Sequence, residues 1–153
     1  MEFVNTLIKN LPTFGNALLM TLELAAVAIV LALVFGIIFG LFTVSGFKIL
    51  EFLSAIYIDI IRGTPLLVQT FIIYYGLAQS LKPLGFSWSN IGGPFTAGVV
   101  ALSLNAGAYM AEIIRGGIQS VDKGQMEAAR SLGLPYFKAM RRVILPQAFL
   151  TML

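Results

Sequence analysis

Three polar side chains occur within an otherwise apolar stretch near the middle of the chain. Asn105, Tyr109 and Glu112 are spaced i, i+4 and i+7, so a helix would present them on one face. A carboxylate inside a membrane-spanning helix costs on the order of 3 kcal/mol, so it normally faces a partner or a water-filled cavity. This face either lines a substrate path, with Glu112 attracting an amino group, or joins helices through Asn105 and a Glu112–Arg115 ion pair.

A second polar group lies earlier in the chain. Asp59 and Arg62 are spaced i, i+3, and a Gly-Thr-Pro sequence follows them. Thr64 as the cap and Pro65 as the first helical residue predict a broken or kinked helix. Broken helices at membrane depth commonly mark transport sites, whereas an Asp59–Arg62 ion pair would only fix the bundle. Gln69 is a further candidate, either for the path or for contact between helices.

The composition argues against most enzymatic functions. The 153 residues include no Cys and no His. This removes disulfides, thiolate metal sites, cysteine nucleophiles and Ser-His-Asp chemistry. The scattered Asp and Glu residues show no metal-ligand pattern, so we predict neither a catalytic site nor a bound metal. The net charge of +3 is modest and is typical of membrane orientation rather than nucleic-acid binding.

Membrane-spanning helices explain this composition. Hydrophobic residues make up 58% of the chain and charged residues 11%, whereas soluble domains carry about 25% charged residues. Uncharged windows long enough to cross a hydrocarbon core of about 30 Å are present. We predict an all-α transmembrane protein with three spans, at about 18–43, 65–81 and 95–116. The Pro- and Gly-rich stretch 83–94 is expected to form a loop.

The first of these spans has an expected start and an expected contact face. Residues 1–13 are predicted to form an interfacial segment that ends at Pro12, with Thr13 or Asn16 capping the spanning helix. Within the span, the Gly-Ile-Ile-Phe-Gly sequence at 36–40 favours close helix packing. We expect that packing within one chain rather than between two copies.

Residues 14–153 are predicted to form one partial transmembrane domain. After Pro146, residues 146–153 begin like a further span, but this apolar run is too short to cross a membrane. We therefore expect the sequence to be a fragment of a longer chain.

The positive charges predict an orientation. Only Lys9 and Lys82 lie on one side of the predicted spans, and the remaining Lys and Arg residues lie on the other. Because positively charged segments stay in the cytoplasm, the amino terminus is expected outside a bacterial inner membrane. The segment 118–145 is expected inside it. The cytoplasmic set comprises Lys48, Arg62, Arg115, Lys123, Arg130, Lys138, Arg141 and Arg142.

The segment 118–145 is punctuated like two short helices. Ser120 or Asp122 can cap the first, Gly133 can end it as its C′ residue, and Pro135 can start the second. Two adjacent alanines in the first helix favour helix formation and leave a flat surface that a partner can approach. We predict a helix–turn–helix elbow, although an ordinary basic loop that attracts anionic lipid would also explain the arginines.

The elbow carries a spacing that resembles the signature loop of importer-type ABC transporter permeases. The matching residues are Glu127, Ala128, Ala129, Gly133, Val143, Leu145 and Pro146. Val143 stands where many members have isoleucine. Two further stretches, 62–69 and 105–129, resemble the polar amino-acid uptake subfamily. The resemblance implies that the matching residues, together with Gln125, contact an ATPase subunit.

The resemblance implies a type I importer core of five spanning helices, three of them present here, with the elbow as the cytoplasmic coupling loop. The chain lacks a G-x-x-x-x-G-K-[ST] sequence, so ATP and Mg would be bound by a partner. Implied partners are two ATP-binding subunits, a second identical or paralogous permease, an external substrate-binding protein and the lipid bilayer. The function implied is a permease subunit of a polar amino-acid importer; the alternative is a membrane structural or assembly protein.

Overall fold

The computed structural model describes residues 2–152, and the regular elements among them are helices. Helix α1 (Glu2–Phe42) and helix α5 (Gly93–Ser120) are long and apolar enough to cross a membrane. Between them, helix α2 (Lys48–Arg62) meets a second helical arm at an angle of 106°. These two arms give a third crossing if they form one broken span. The predicted all-α transmembrane class is confirmed.

The second arm is not a uniform α-helix. It begins as α3 (Leu66–Phe71), widens into a π turn (Ile72–Leu77) and ends as α4 (Ala78–Leu81). The span predicted at 65–81 falls on this arm. Two short 3₁₀ turns then lead into α5, at Lys82–Leu84 and Trp88–Ile91.

Helix α1 continues through Pro12 without a break. The predicted end of a separate segment at Pro12, with a cap at Thr13 or Asn16, is therefore wrong. An interior proline removes one N–H donor and its ring crowds the carbonyl of the preceding turn, yet α1 continues on both sides of Pro12. Met1 lies outside the described residues, and the placement of 1–13 at a membrane surface stays a prediction.

Small residues bring α1 and α5 together. The buried positions on α1 recur at every fourth residue and are Ala28, Ala32, Gly36 and Gly40. A Cβ atom on Gly36 would lie 2.5 Å from Cβ of Met110. One on Gly40 would lie 2.8 Å from Cβ of Ile114. The two backbones thus approach closely, and the contact predicted for 36–40 lies within one chain.

Helix α2 was not predicted as a helix, because its charged residues interrupt the apolar pattern and the segment resembled a connection. Two hydroxyl groups on its buried side tie it to the neighbouring spans. Ser54 Oγ donates a hydrogen bond to the carbonyl of Phe39 in α1, at 2.6 Å. Tyr57 Oη donates to the carbonyl of Leu104 in α5, also at 2.6 Å. These tertiary contacts, which a local pattern cannot show, position α2 beside the bundle.

We predict that Gly36→Ala destabilises the protein, because the added methyl group collides with Met110 on α5. Overpacking of a close contact costs about 1–3 kcal/mol. Gly15→Ala is the matched control on the same helix, since nothing lies within 4 Å of its added Cβ atom. Thermal unfolding in detergent should show a lower Tm for Gly36→Ala and an equal or higher Tm for Gly15→Ala. Equal Tm values for the two variants would contradict the close α1–α5 contact.

Candidate functional site

The break between α2 and α3 positions the first polar side chains. Helix α2 closes with the N–H of Gly63 donating to the carbonyl of Asp59 at 2.8 Å. Pro65 is extended (φ −63°, ψ 138°) and directly precedes α3. The predicted break is therefore present, but Thr64 does not cap α3. Its Oγ1 donates backward to the carbonyl of Ile60, at 2.8 Å, and so completes the end of α2.

Gln69 connects this break to α5. Its side chain is buried, and its Nε2 donates to the carbonyl of Ile61 at 2.6 Å. The same nitrogen lies 3.0 Å from the Thr64 carbonyl oxygen and 2.8 Å from Thr64 Oγ1, so its two hydrogens are shared among three acceptors. Its Oε1 accepts a hydrogen bond from Asn105 Nδ2 at 3.0 Å. Three residues that the sequence offered as separate candidates thus form one hydrogen-bond network across the helices.

Glu112 lies between two arginines, about two turns after Asn105 along α5. Arg115 Nε donates to Glu112 Oε2 at 2.9 Å, and an Arg115 Nη2 contact to Oε1 completes a two-point pair. Arg62 Nη1, at the end of α2, lies 3.6 Å from Glu112 Oε1. The Arg62 guanidinium also lies 5.5 Å from the centre of the Tyr109 ring, in range of a cation–π interaction. The charged cluster thereby joins α2 to α5.

The predicted Asp59–Arg62 ion pair is wrong. Among residues 2–152, the ion pairs within 4.0 Å are those that Glu112 makes. Arg62 is the last residue of α2, and its side chain extends to the carboxylate and the ring on α5 instead of back along its own helix. Asp59 lines a cavity of about 190 Å³ with Arg62, Glu112 and Arg115. The described residues contain no group of three or more acids that could hold a metal ion.

Trp88 is a structural anchor that the sequence analysis missed. It is buried, and its Nε1 donates to the carbonyls of Ile73 at 3.2 Å and Tyr74 at 3.0 Å. Both carbonyls belong to the π turn, where the wider hydrogen-bond spacing disturbs the regular ladder. A lone tryptophan in a Gly- and Ser-rich loop was the available signal. The loop before α5 is thereby attached to the second arm.

The first helix of the elbow, α6 (Lys123–Ser131), begins at Asp122. Its Oδ1 accepts a hydrogen bond from the N–H of Gly124 at 2.6 Å, which caps the helix. Ser120, the other predicted cap, is the last residue of α5. Its Oγ donates to the carbonyl of Gly117 at 2.8 Å. Of the two predicted caps, Asp122 performs the role.

Gly133 ends α6 as predicted. Its φ of +84° lies in the left-handed region, which glycine adopts without the steric cost that other residues meet. Its N–H donates to the carbonyl of Arg130 at 3.0 Å, and the N–H of Leu134 donates to the carbonyl of Ala129 at 3.2 Å. This pair of bonds is the Schellman arrangement that closes a helix and turns the chain. Pro135 then precedes the second helix.

The second helix continues through Pro146. It consists of α7 (Tyr136–Ala139), a π turn (Met140–Ile144) and α8 (Leu145–Met152). The helix is therefore continuous across the predicted boundary between elbow and span, and the start of the span at 146 stays a prediction. Proline lacks an N–H and its ring conflicts with the preceding turn, and the wider π turn directly before it relieves that conflict. Leu153 lies outside the described residues.

The two alanines of the elbow do not share one surface. Ala128 is exposed, together with Gln125 and Glu127, whereas Ala129 is 4% exposed. Successive helical residues point about 100° apart, so α6 can place one alanine outward and the other toward the helix it packs against. The predicted flat double-alanine surface is thus wrong, and Ala128 alone remains accessible.

Other apolar residues of the elbow are likewise either exposed or packed inside the chain. Leu132 is 85% exposed and Phe137 79% exposed, although they are large and apolar. Val143 and Leu145 instead pack against a buried cluster inside the chain. The cluster consists of Ile118, Ile144 and Ala148. Leu132 and Phe137 thus leave apolar side chains exposed on the elbow.

This chain is similar to known proteins in both sequence and structure. Residues 32–153 match the family described as "Binding-protein-dependent transport system inner membrane component". The arginine transport system permease protein ArtQ of Bacillus subtilis (strain 168) is 44% identical over 142 residues, covering 93% of this chain and 62% of ArtQ. The nopaline transport system permease protein NocM of Agrobacterium fabrum (strain C58 / ATCC 33970) is 42% identical over 148 residues, covering 95% of this chain and 61% of NocM.

A solved structure is also similar, the crystal structure of an amino acid ABC transporter with histidines. The TM-score is 0.79 and the sequence identity 44%, with 96% of this chain and 65% of that chain covered. The chain thus spans about three fifths of the length of the curated relatives named above.

We predict that Gln69 and Asn105 are energetically coupled. Gln69→Leu leaves the carbonyls of Ile61 and Thr64 without their donor, which should cost about 1–3 kcal/mol. Asn105→Leu should cost less, because the Gln69 Nε2 bonds remain. Unfolding free energies of the two single variants and the double variant should give a coupling energy of about 0.6 kcal/mol, a typical value for interhelical hydrogen bonds in membranes. Strict additivity would contradict the Gln69–Asn105 hydrogen bond.

Proposed function

This chain belongs to the family of binding-protein-dependent transport system inner membrane components, and on that basis we propose that it forms part of the permease of an ATP-driven polar amino-acid importer. The observation that carries the proposal is the elbow. Its Asp122 cap, its Gly133 turn and its exposed Ala128 form a compact knob between two membrane helices. Such a knob suits a subunit that receives movement from outside the membrane.

The elbow is connected to the bundle in a way that transmits movement. Helix α5 ends at Ser120, and α6 begins at Lys123. Helix α7 continues through the π turn into α8. Ile118, Ile144 and Ala148 pack together beneath the elbow and join the two spans. A partner that displaces α6 would therefore move α5 and α8 as rigid bodies, and rotation of packed helices can switch access across a membrane.

We infer that a cytoplasmic ATP-binding subunit contacts the exposed side of the elbow. Gln125, Glu127 and Ala128 are accessible to it. Val143, Leu145 and the buried Ala129 support the elbow from within rather than forming the contact. Exposed Leu132 supplies apolar area for such a contact. ATP and Mg would be bound by that partner, and this chain would act without catalysis of its own.

We place the substrate path along the polar face of α5. Thr64, Gln69, Asn105 and Tyr109 lie on or beside this face, and the Arg62–Glu112–Arg115 cluster follows them along α5. Asn105 uses one N–H toward Gln69, so its other N–H and its carbonyl oxygen can form hydrogen bonds with the charged ends of an amino acid. The names of relatives refer to arginine and to nopaline, which fits a polar amino acid or derivative as the substrate class. Glu112 acts by holding Arg62 beside Tyr109.

The remaining parts of the transporter follow from the family. We propose two ATP-binding subunits, a second permease that is identical or paralogous, and a substrate-binding protein outside the membrane. The positive charges of the elbow support a cytoplasmic position for it and an external amino terminus.

The coupling role predicts different effects for the two neighbouring alanines. In the transporter assembled with its ATPase and binding protein, Ala128→Trp should reduce substrate uptake and substrate-stimulated ATP hydrolysis by about 5- to 150-fold, because a bulky group at a packed contact costs about 1–3 kcal/mol. The Tm of the membrane subunit should not change, since Ala128 is exposed. Ala129→Trp should lower the Tm, since Ala129 is buried within the chain.

Uptake, hydrolysis and Tm should be measured for both variants in one membrane preparation. Normal coupled transport by Ala128→Trp would contradict the docking of an ATPase at this surface. It would favour a structural or assembly protein whose elbow is only a basic membrane anchor.

Glu112→Gln tests the role of the charged cluster. We expect a Tm decrease and a lower maximal uptake rate, because Arg62 and Arg115 both lose their ionic partner. The KM for the transported amino acid should change less than about threefold, since the substitution removes no contact with the substrate. Asp59→Asn is the matched control: it removes a carboxylate from the same cavity, but one that forms no ion pair in the described structure. A tenfold higher KM with unchanged Tm would instead assign Glu112 to substrate binding.

A further inference from the structure

A groove separates the end of α1 from the second helix of the elbow. Its volume is about 690 Å³. One wall is formed by the α1 end and the following connection, including Phe42, Val44 and Phe47, and the other includes Met140. Tyr136 Oη donates to the carbonyl of Val44 at 3.3 Å and ties the two walls together. The groove is therefore a built feature of the fold rather than a gap between loose segments.

Three positive side chains line this apolar groove. They are Lys138, Arg141 and Arg142, and the groove has no acidic residue in its lining. None of the three forms an ion pair with any residue in the range 2–152. The two arginines of the α2–α5 cluster, by contrast, both contact Glu112. The groove thus combines apolar walls with three cations that lack an anion.

The groove lies where a membrane-spanning helix meets the charged elbow. Helix α1 ends at Phe42. Its exposed Leu41 lines the groove, and Ile37 and Ile38 are exposed one turn earlier on the same helix. On the other side, α8 begins at Leu145, which also lines the groove. The boundary between hydrocarbon and water is the depth at which lipid phosphates lie, and basic side chains there attract anionic lipids.

We propose that this groove binds one anionic phospholipid, with its phosphate against Lys138, Arg141 and Arg142 and its acyl chains along the apolar wall. The continuity of that wall with the exposed side of α1 favours a lipid over a soluble partner. The inference requires only that the chain spans a membrane, so it stands or falls independently of the transported substrate. A lipid in this position would connect the end of α1 to the elbow.

The test compares two pairs of cationic residues of the elbow in the assembled transporter. Native mass spectrometry from nanodiscs would measure retention of phosphatidylglycerol against phosphatidylcholine. Arg141→Gln with Arg142→Gln removes two groove cations and should weaken phosphatidylglycerol binding roughly 30-fold, at about fivefold for each cation near the surface. Lys123→Gln with Arg130→Gln removes the same charge outside the groove, and retention should change less than about threefold. An equal loss of phosphatidylglycerol retention in both variants would show general attraction to the charged surface and would overturn the proposal.

A second measurement identifies the occupant. In the same complex, Phe47→benzoylphenylalanine places a photoreactive group on the groove wall. Irradiation should give a covalent adduct with phosphatidylglycerol and not with a protein. An adduct with the ATP-binding subunit, or with a polypeptide segment, would show that the groove is a protein contact and would overturn the lipid assignment.

Discussion

The hydrogen bonds of the Gln69 side chain hold the functional part of this structure together. A helix break inside a membrane exposes backbone carbonyls where no water can satisfy them, and such a break persists only if protein groups supply the donors. Gln69 donates to the carbonyls of Ile61 and Thr64, at 2.6 Å and 3.0 Å, and accepts from Asn105 on α5. This amide therefore links the end of α2, the second arm and α5 at the 106° bend.

Helix α5 organises the rest of the molecule because it carries three different surfaces. On one side, Met110 and Ile114 lie close to the backbone of α1 at Gly36 and Gly40. Its polar side holds Asn105 and Glu112 toward the broken arm. Its end leads within two residues into the elbow. A displacement of the elbow would therefore also act on the end of α5, the helix that carries the polar face.

Local chemistry made part of this structure predictable. Asp122 as a cap, Gly133 with its positive φ and the break at Gly63-Thr64-Pro65 depend on neighbouring residues alone, so the sequence was sufficient.

Other features depend on tertiary contacts. Helix α2 is positioned by hydrogen bonds to α1 and α5, and Ala129 is buried by a helix that follows it in the chain. The orientation of Arg62 toward Glu112 rather than Asp59 also depends on a neighbouring helix that the local pattern does not show. The path residues stay a prediction, and no local pattern indicated that Gln69 would connect Thr64 to Asn105.

The π turn at Met140–Ile144 changes how the sequence around it must be aligned. The buried residues Ala139, Ile144 and Ala148 are separated by five and then by four positions, yet they share one side of a continuous helix. A π turn accommodates one extra residue, so it acts as a built-in insertion. A related chain that is one residue shorter here could keep the same buried side, whereas one residue lost within α5 would turn its polar side chains by about 100° from their partners.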